Sequence, residues 1–512
     1  MPKAMGTGTE QTVRTDPAVV TDRVAGTDRA GAGGGGPGGR LGPGQGTALL
    51  LGAVLGPGVL ALPHLAAAAA GPASIVAWAA LLALSVPVAL TFAALGGRFP
   101  DGGGVAAFAA RAFGARTAAV TGWWFYFAVP VGVPAGALIG AEYVSSALGL
   151  GGGGTLAVTC GLLAAAFAAN HAGLRFSGGL QLLLAVLLVA LLVAAVAMAL
   201  PAVRPGNFTP FAPHGPEGVA RAAGVLFFAF VGWEAASHLS AEFADPRRHL
   251  PRATALTLAV VGVLYTGLAV TVIGVLGGRA AVSPVPLALL LEHGAGSLAG
   301  PVTAGAALLL SFGAINTYVA GGARLGAALA RDGALPAWLA GGADPGRAGQ
   351  GADSARVGQG ADSARVGQGA DSARVGQGAD SARVGQGADS ARVGRDAAPG
   401  RVPHRSLLLL AVLSGAVTAA VAGSGLGLDP LMRATSACLA AVTAVGVAAA
   451  TRLLSGAWRR TAAVAMVLTL ALLAACGPYL LVPLVLAAGA LVAGRRRVRS
   501  SAAGRGPGWP GG

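Results

Sequence analysis

Charged residues are scarce in this chain. Asp, Glu, Lys and Arg together make up 11% of its 512 residues, whereas hydrophobic residues make up 54%. Soluble domains carry about 25% charged residues, so this composition argues against a soluble globular protein. Apolar stretches close to the ~20 residues that a helix needs to cross a bilayer recur along most of the sequence. The sequence therefore predicts an all-α integral membrane protein in contact with the lipid bilayer.

Lysine and cysteine are nearly absent. Lys3 is the single lysine, so the net charge of +15 comes almost wholly from arginines that lie between the apolar runs. No basic stripe is interleaved with aromatic residues, and we expect no nucleic acid as a partner. Cys160, Cys438 and Cys476 fall inside apolar runs without CxxC or His-rich spacing, so we interpret them as reduced packing residues. Neither a metal site nor a cofactor is predicted.

The apolar runs predict about twelve membrane spans. They lie at residues 46–64, 72–96, 117–147, 155–171, 177–200, 219–241, 253–277, 297–323, 405–423, 431–451, 461–476 and 478–494. The last two could form one long helix, but arginines flank the whole run on both sides. If both basic flanks stay in the cytoplasm, the chain must cross and return, and Gly477-Pro478 marks the turn.

The distribution of arginines orients these spans. One side carries Arg98, Arg111, Arg116, Arg175, Arg247, Arg248, Arg252, Arg324, Arg331 and Arg452, and the other carries Arg204, Arg221, Arg279 and Arg433. Because cytoplasmic loops are enriched in basic residues, we expect the first side and both termini to lie in the cytoplasm. The expected location is the plasma membrane.

Three polar segments are predicted to lie outside the bilayer. Residues 1–45 should form a disordered cytoplasmic tail, residues 324–404 a cytoplasmic loop, and residues 495–512 a basic cytoplasmic tail. The loop contains five tandem copies of the nonapeptide GQGADSARV, from Gly349 to Val393. Their spacing resembles a calcium-binding β-roll, but Val366 stands where a second glycine belongs. A flexible linker produced by local duplication is the favoured interpretation.

Two of the predicted spans are interrupted near their middle. The first breaks at Gly56-Pro57-Gly58, and the sixth breaks between Phe230 and Glu234. A broken helix is tolerated in a bilayer only where its freed backbone groups face protein or a wet cavity. Paired breaks of this kind are typical of transporters with inverted repeats and a midplane site. The alternative for the first break alone is a simple kink, because Gly and Pro are frequent in membrane helices.

The first break predicts a site for a carboxylate. Pro57 has no N–H, and the flanking glycines Gly56 and Gly58 let a ligand approach the backbone. The N–H groups of Gly58 and Val59 then begin a new half-helix, whose N-terminus attracts negative charge.

The sixth span predicts the complementary site for an ammonium group. The carbonyls of Phe228, Ala229 and Phe230 are expected to be released where the helix gives way at Gly232. Backbone donors at one break and acceptors at the other, with apolar walls between them, suit a zwitterion with a neutral side chain. The two half-sites therefore predict binding of an α-amino acid.

Glu234 is the only carboxylate well inside a predicted span, and an ionisable residue there is a functional candidate. We interpret it as the proton-coupling residue, with a structural hydrogen-bonded carboxyl as the alternative. Three other ionisable residues near span ends are interpreted as solvated, gate-rim or interfacial: Glu142, Glu242 and His64. Three polar residues of the eighth span could complete a sodium site, although helix packing is favoured: Ser311, Asn316 and Thr317.

Several stretches of the sequence resemble amino acid permeases of the APC superfamily. They are Arg98 to Gly104, Ala112 to Gly114, Thr121 to Trp123, Phe227 to Ala253 and Ala330 to Pro336. Within the superfamily, the run Val120 to Pro134 and the pair His238-Leu239 are most similar to bacterial exporters of methionine and branched-chain amino acids. The resemblance extends over roughly residues 45–340, and the remainder agrees in hydropathy only.

The resemblance implies a LeuT-like fold: a five-plus-five inverted repeat with discontinuous helices 1 and 6, and with spans eleven and twelve outside it. It also implies carboxylate binding around Gly56 to Gly58, ammonium binding by the carbonyls of Phe228 to Phe230, and an aromatic gate at Phe228. Trp233 is a second candidate gate residue. Some relatives carry a lysine in span five where others bind sodium. This chain has none there, which leaves Glu234 as the main coupling candidate.

We therefore expect a proton-linked secondary transporter that works by alternating access and exports neutral aliphatic L-amino acids, such as methionine, leucine, isoleucine and valine. Import or exchange of such substrates is the alternative within the superfamily. A channel would need rings of polar residues along a pore, which two mid-span breaks match poorly. An enzyme would need a clustered catalytic set, and the spans contain no Ser-His-Asp grouping, HExxH or GxxxxGK motif.

Overall fold

A computed structural model describes residues 41–100, 104–174, 178–230, 232–234, 236, 239–240, 243–340 and 403–503. The predicted tail up to residue 40, the nonapeptide copies from 349 to 393 and the last residues from 504 onward lie outside these ranges. Glu242 and His238 also lie outside them, so the interpretations given to these segments and residues stay predictions.

The described residues form fifteen α-helices, joined by short turns and 3₁₀ segments. They are α1 (Pro43–Val54), α2 (Gly58–Ala70), α3 (Ser74–Arg98), α4 (Gly104–Phe113), α5 (Ala115–Leu148), α6 (Gly152–His171), α7 (Gly178–Ala199), α8 (Gly215–Leu226), α9 (Pro246–Leu276), α10 (Pro286–Ala295), α11 (Ala299–Arg331), α12 (His404–Ser424), α13 (Leu428–Leu453), α14 (Ala457–Ala475) and α15 (Leu481–Ala503).

Ten helical stretches in the described ranges are long and apolar enough to cross a membrane, compared with about twelve predicted. The difference falls on the two spans predicted to be broken. In the first, α1 is separated from α2, and α2 and α3 are joined by a 3₁₀ turn into the single stretch Gly58–Arg98. In the sixth, α8 has only 12 residues. The other ten predicted spans all coincide with helices of the structure, so the chain is a multi-pass, all-α membrane protein.

Apolar side chains cover both the inside and the outside of the helix bundle. Trp78, Phe92 and Tyr265 are buried in its core, whereas Val263 is 74% exposed and Leu484 62% exposed. A soluble protein rarely exposes so much contiguous apolar surface, but lipid tails are a suitable solvent for it. Hydropathy alone therefore does not separate the core from the lipid face.

The helix ends agree with most sequence boundaries, and two short helices are additional. The α4 helix lies between the second and third predicted spans, and α10 lies between the seventh and eighth. Helix α11 continues to Arg331, into the segment predicted as loop, and α15 continues to Ala503, into the predicted tail. The predicted interruption at Gly477 is present: α14 ends at Ala475, and Gly477 adopts a φ of 55° before α15 begins.

One prediction about the cysteines is wrong. Cys438 and Cys476 are free and buried, as expected for packing residues, but Cys160 is free and exposed on α6. The outward face of α6 is apolar like its inward face, so a cysteine in an apolar run can lie on either one.

Candidate functional site

The first helix break has the geometry of a half-helix start. Helix α1 ends at Val54, Leu55 to Pro57 are not helical, and α2 begins at Gly58. Val59 N–H donates to the Gly56 carbonyl over 3.3 Å, so one of the two predicted donors is occupied within the turn. Among the described residues, the Gly58 N–H has no recorded acceptor. It is thus the donor that this turn offers to a ligand.

The second break begins earlier than the sequence predicts. The α-helical part of the sixth span ends at Leu226, and the chain tightens into a 3₁₀ turn from Phe227 to Phe230 before Gly232, whose φ is 118°. The hydroxyl of Tyr265 donates to the Ala229 carbonyl over 3.1 Å. A carbonyl oxygen has two lone pairs, so Ala229 retains one for a second donor.

The two breaks touch each other at two glycines. A Cβ added to Gly232 would lie 2.6 Å from the carbonyl oxygen of Ala53, in the last turn of α1. A Cβ added to Gly58 would lie 2.7 Å from Cδ1 of Phe228. Real Cβ atoms do not approach other atoms this closely, and the neighbour of Gly232 is backbone that cannot rotate away. Glycine at both positions lets the two broken spans meet.

A cavity of about 40 Å³ lies where the breaks meet. Six predicted site residues line it: Gly56, Pro57, Gly58, Val59, Phe228 and Ala229. Helix α5 contributes Gly132, Val133 and Gly136, and α11 contributes Ala314, Ile315 and Tyr318. None of these residues carries a charge. This volume is far below the roughly 300–1,000 Å³ that is usual for small-molecule sites, so the cavity is narrow in this conformation.

A second cavity, of about 410 Å³, adjoins the first along α1, α7 and α11. The two share Gly56, Pro57 and Tyr318 in their linings, and the larger one extends to Gly232 and Glu234. Glu234 is the only charged side chain that lines either cavity in the part of the chain described here. This half-buried carboxylate accepts a hydrogen bond from Gly232 N–H at 3.0 Å, which ties it to the second break.

On the α2 side of the first break, hydrogen bonds join α2 to neighbouring segments of the chain. The hydroxyl of Tyr143 on α5 donates to the Leu60 carbonyl at 2.9 Å and accepts from Leu287 N–H, at the start of α10, at 3.3 Å. His64 Nδ1 donates to the Ala280 carbonyl at 3.1 Å. The sequence gives no local signal for Tyr143, because a tyrosine in a long apolar span belongs to no motif.

The remaining predicted residues lie outside both cavities. Phe230 packs against Trp78 and Tyr265, with ring centroids 5.9 and 5.3 Å away. Trp233 is 2% exposed in the core, and its Nε1 has no recorded acceptor in the described part. A direct role for Phe230 in binding, and for Trp233 in gating, stays a prediction.

The polar residues of the eighth span connect helices. The Asn316 side chain accepts from the amide of Asn170 on α6 at 2.8 Å, and Thr317 accepts from Gln181 on α7 at 3.3 Å. The hydroxyl of Ser311 is buried beside Gly140. The contacts of Asn316 and Thr317 agree with the packing role that the sequence favoured over a sodium site, whereas the Ser311 hydroxyl has no hydrogen-bond partner in the described part of the chain.

Comparison with known proteins identifies the family of this chain. A family model described as amino acid permease matches residues 41–345. An "uncharacterized amino acid permease", YecA of Bacillus subtilis, is 35% identical over 295 residues, which cover 58% of this chain and 70% of the relative. The L-methionine/branched-chain amino acid exporter YjeH of Escherichia coli is 37% identical over 286 residues, 55% of this chain and 68% of the relative. The branched-chain amino acid permease BcaP of Bacillus subtilis is 27% identical over 313 residues, 57% of this chain and 67% of the relative.

Proposed function

The chain belongs to the amino acid permease family, and from that premise we propose that it exports neutral aliphatic amino acids across the plasma membrane, coupled to protons, by alternating access. As a member of this family it is a membrane transporter and not an enzyme. Methionine, leucine, isoleucine and valine are the proposed substrates.

The observation that carries the proposal is the junction of the two breaks. A donor at Gly58 and a carbonyl at Ala229 line the same cavity, so opposite ends of a zwitterion have partners from different half-helices. The positive end of a helix dipole at the start of α2 favours a carboxylate there. The residues around them are glycine, alanine, valine, isoleucine and aromatic side chains, which suit an apolar side chain and offer no counter-ion to a charged one.

The substrate class and the direction have separate support. Two relatives, an L-methionine/branched-chain amino acid exporter and a branched-chain amino acid permease, agree with an aliphatic substrate. The exporter is the more similar of the two, at 37% identity against 27%, which favours export. Uptake or exchange of the same amino acids is the second candidate, which the branched-chain permease favours.

Proton coupling is proposed for Glu234. It is half-buried, lines the larger cavity, and is bonded to the backbone of the second break at Gly232. A carboxylate in this position can exchange a proton with water in the cavity, and its charge acts on the segment that must move. Tyr318 is the other titratable residue in the same lining.

The arginine distribution supports the proposed orientation, with both termini in the cytoplasm. On this assignment the larger cavity, which follows α1, belongs to the cytoplasmic half of the protein.

Counterflow in proteoliposomes tests the proposed function. Vesicles loaded with unlabelled methionine or leucine should accumulate the labelled amino acid transiently, and an imposed pH gradient should change the extent. Absence of counterflow with every neutral amino acid would contradict the substrate class. Counterflow of the same extent with and without the pH gradient would contradict proton coupling, but it would still support carrier transport.

A pair of matched variants ties the activity to the cavity. Gly58→Leu should abolish counterflow, because its side chain would occupy the cavity and displace Phe228. Gly415→Leu is the control, since a Cβ there meets no atom within 4 Å on the exposed face of α12. Retained counterflow in Gly58→Leu would show that the substrate binds elsewhere.

A further inference from the structure

A third cavity, of about 450 Å³, lies at the arginine-rich end of the bundle. It shares no lining residue with the two cavities at the breaks. The last turn of α3 supplies Gly97 and Arg98, the first turns of α9 supply Arg247 and Pro251, and the junction of α13 and α14 supplies Leu454 and Trp458. Its volume falls in the range of roughly 300–1,000 Å³ that is usual for small-molecule sites.

Two arginines face this cavity without a protein anion. Neither the Arg98 nor the Arg247 side chain has a hydrogen bond or an ion pair among the residues that the structure describes. The nearby carboxylate of Asp245 is engaged with Arg248, whose Nε lies 3.7 Å away and whose backbone N–H donates to it at 3.2 Å. The cavity is therefore lined by two positive charges, and no anion among the described residues around it neutralises them.

Other arginines at this end have partners of a different kind. The Arg111 guanidinium lies 5.4 Å from the ring centroid of Phe99, and that of Arg452 lies 4.5 Å from the ring centroid of Phe113. These contacts hold the two side chains against the protein. Arg98 and Arg247 are left facing the cavity.

The backbones that carry the two arginines are in close contact beside the cavity. A Cβ added to Gly97 would lie 3.3 Å from the Pro246 carbonyl oxygen and 3.4 Å from Cα of Arg247, so α3 and α9 are in backbone contact there. Both guanidinium groups consequently extend from one rigid helix crossing. Two such groups can each donate paired hydrogen bonds to a phosphate.

The rest of the wall is apolar and lies between membrane helices. Ala93, Ala94, Pro251 and Leu454 line it, and Trp458, which is 42% exposed, stands at its edge. Tryptophan is enriched at the level of lipid headgroups. Basic pockets between membrane helices are a recognised setting for anionic lipid headgroups.

We propose that this cavity binds one anionic phospholipid, with its phosphate held by Arg98 and Arg247 and its acyl chains along the apolar wall. The site is separate from the amino acid site and does not depend on the proposed function. A lipid bound here bridges α3, α9 and the α13–α14 junction, so it stabilises their relative positions.

Thermal unfolding of the full chain in detergent tests the proposal. Added phosphatidylglycerol should raise the unfolding midpoint in a saturable way, whereas phosphatidylcholine and inorganic phosphate should not. An equal rise with phosphatidylcholine would overturn the proposal, because the charge would be irrelevant. An equal rise with inorganic phosphate would overturn the lipid as the occupant and indicate a free-anion site.

Matched variants locate the effect. Arg98→Gln with Arg247→Gln should raise the phosphatidylglycerol concentration for half-maximal stabilisation roughly thirtyfold, the loss expected for two basic residues near the surface. The control, Arg116→Gln with Arg331→Gln, removes two exposed arginines outside the cavity and should leave that concentration unchanged. An equal loss in the control would show general surface attraction and overturn the site.

A second measurement does not depend on the variants. Native mass spectrometry of the wild-type protein should show one phosphatidylglycerol retained at detergent and lipid levels that strip phosphatidylcholine. Complete loss of both lipids would contradict the proposal.

Discussion

The contact between Gly232 and the last turn of α1 can be tested by a single methyl group. In Gly232→Ala the new Cβ would lie 2.6 Å from the Ala53 carbonyl oxygen and 3.0 Å from Cα of Val54. Both neighbours are backbone atoms, so relief requires α1 or the second break to move. The φ of 118° at Gly232 is also a conformation that L-residues rarely adopt.

The magnitude follows from these two effects. Holding a non-glycine residue in a sparsely populated backbone region costs about 1–3 kcal/mol. Inserting a methyl group into a closely packed site costs about 1–3 kcal/mol. The sum, about 2–6 kcal/mol, is a large fraction of the roughly 5–15 kcal/mol that stabilises a folded domain. We expect a clearly lower unfolding midpoint in detergent and loss of counterflow, because both breaks are displaced.

A control variant isolates the contact from the general effect of replacing glycine. Gly52→Ala lies in α1 directly before Ala53, where an added Cβ would meet only Cβ of Ala185 at an ordinary 3.5 Å. Alanine in a helix interior is favoured over glycine by roughly 0.5–1 kcal/mol, so this variant should be as stable as wild type or more so. A Gly232→Ala protein with wild-type unfolding and wild-type counterflow would refute the proposed junction of the two breaks.

Three further predictions concern other parts of the chain. Tyr143→Phe removes the hydroxyl that accepts from the Leu287 N–H at the start of α10. Leaving this buried N–H unpaired costs about 1–3 kcal/mol, so hydrogen–deuterium exchange across α10 should accelerate, and unchanged exchange would contradict the role of this bond. Glu234→Gln keeps an acceptor for the nearby backbone N–H but cannot titrate, so counterflow should persist and lose its response to a pH gradient; an unchanged response would remove this residue from the coupling role. Deleting residues 349–393, which lie beyond the family match at 41–345, should leave counterflow rates unchanged, and a slower rate would assign the repeats a function.

The first break could be predicted from sequence because its cause is local. Pro57 cannot donate a backbone hydrogen bond, and two glycines beside it remove the steric barrier to a turn. The exact start of the second break could not be predicted, because the 3₁₀ turn from Phe227 accepts a hydrogen bond from the Tyr265 hydroxyl, which belongs to another helix. The sequence indicates the break at Gly232 but not the neighbour that shapes it.

Contacts between distant segments were beyond the reach of the sequence pattern. The approach of Gly232 to Ala53 and the bonds of Tyr143 join residues far apart in the chain. The sequence also did not determine which face of α6 carries Cys160, because lipid and core are equally apolar and hydropathy does not distinguish them. Span positions, by contrast, depend on composition over about 20 residues and were predicted well.

The small cavity is separated from the α2 side by hydrogen bonds, whereas on the α1 side it adjoins a larger cavity. This difference has a kinetic consequence. On the proposed function, a substrate that moves along α1 enters through the 410 Å³ cavity. A substrate from the α2 side requires that the hydrogen bonds of Tyr143 and His64 first break. If this conformation is the resting state, the protein is poised to load from one face. Half-saturating substrate concentrations measured on the two faces of the membrane should therefore be unequal, with the lower value on the face that α1 adjoins.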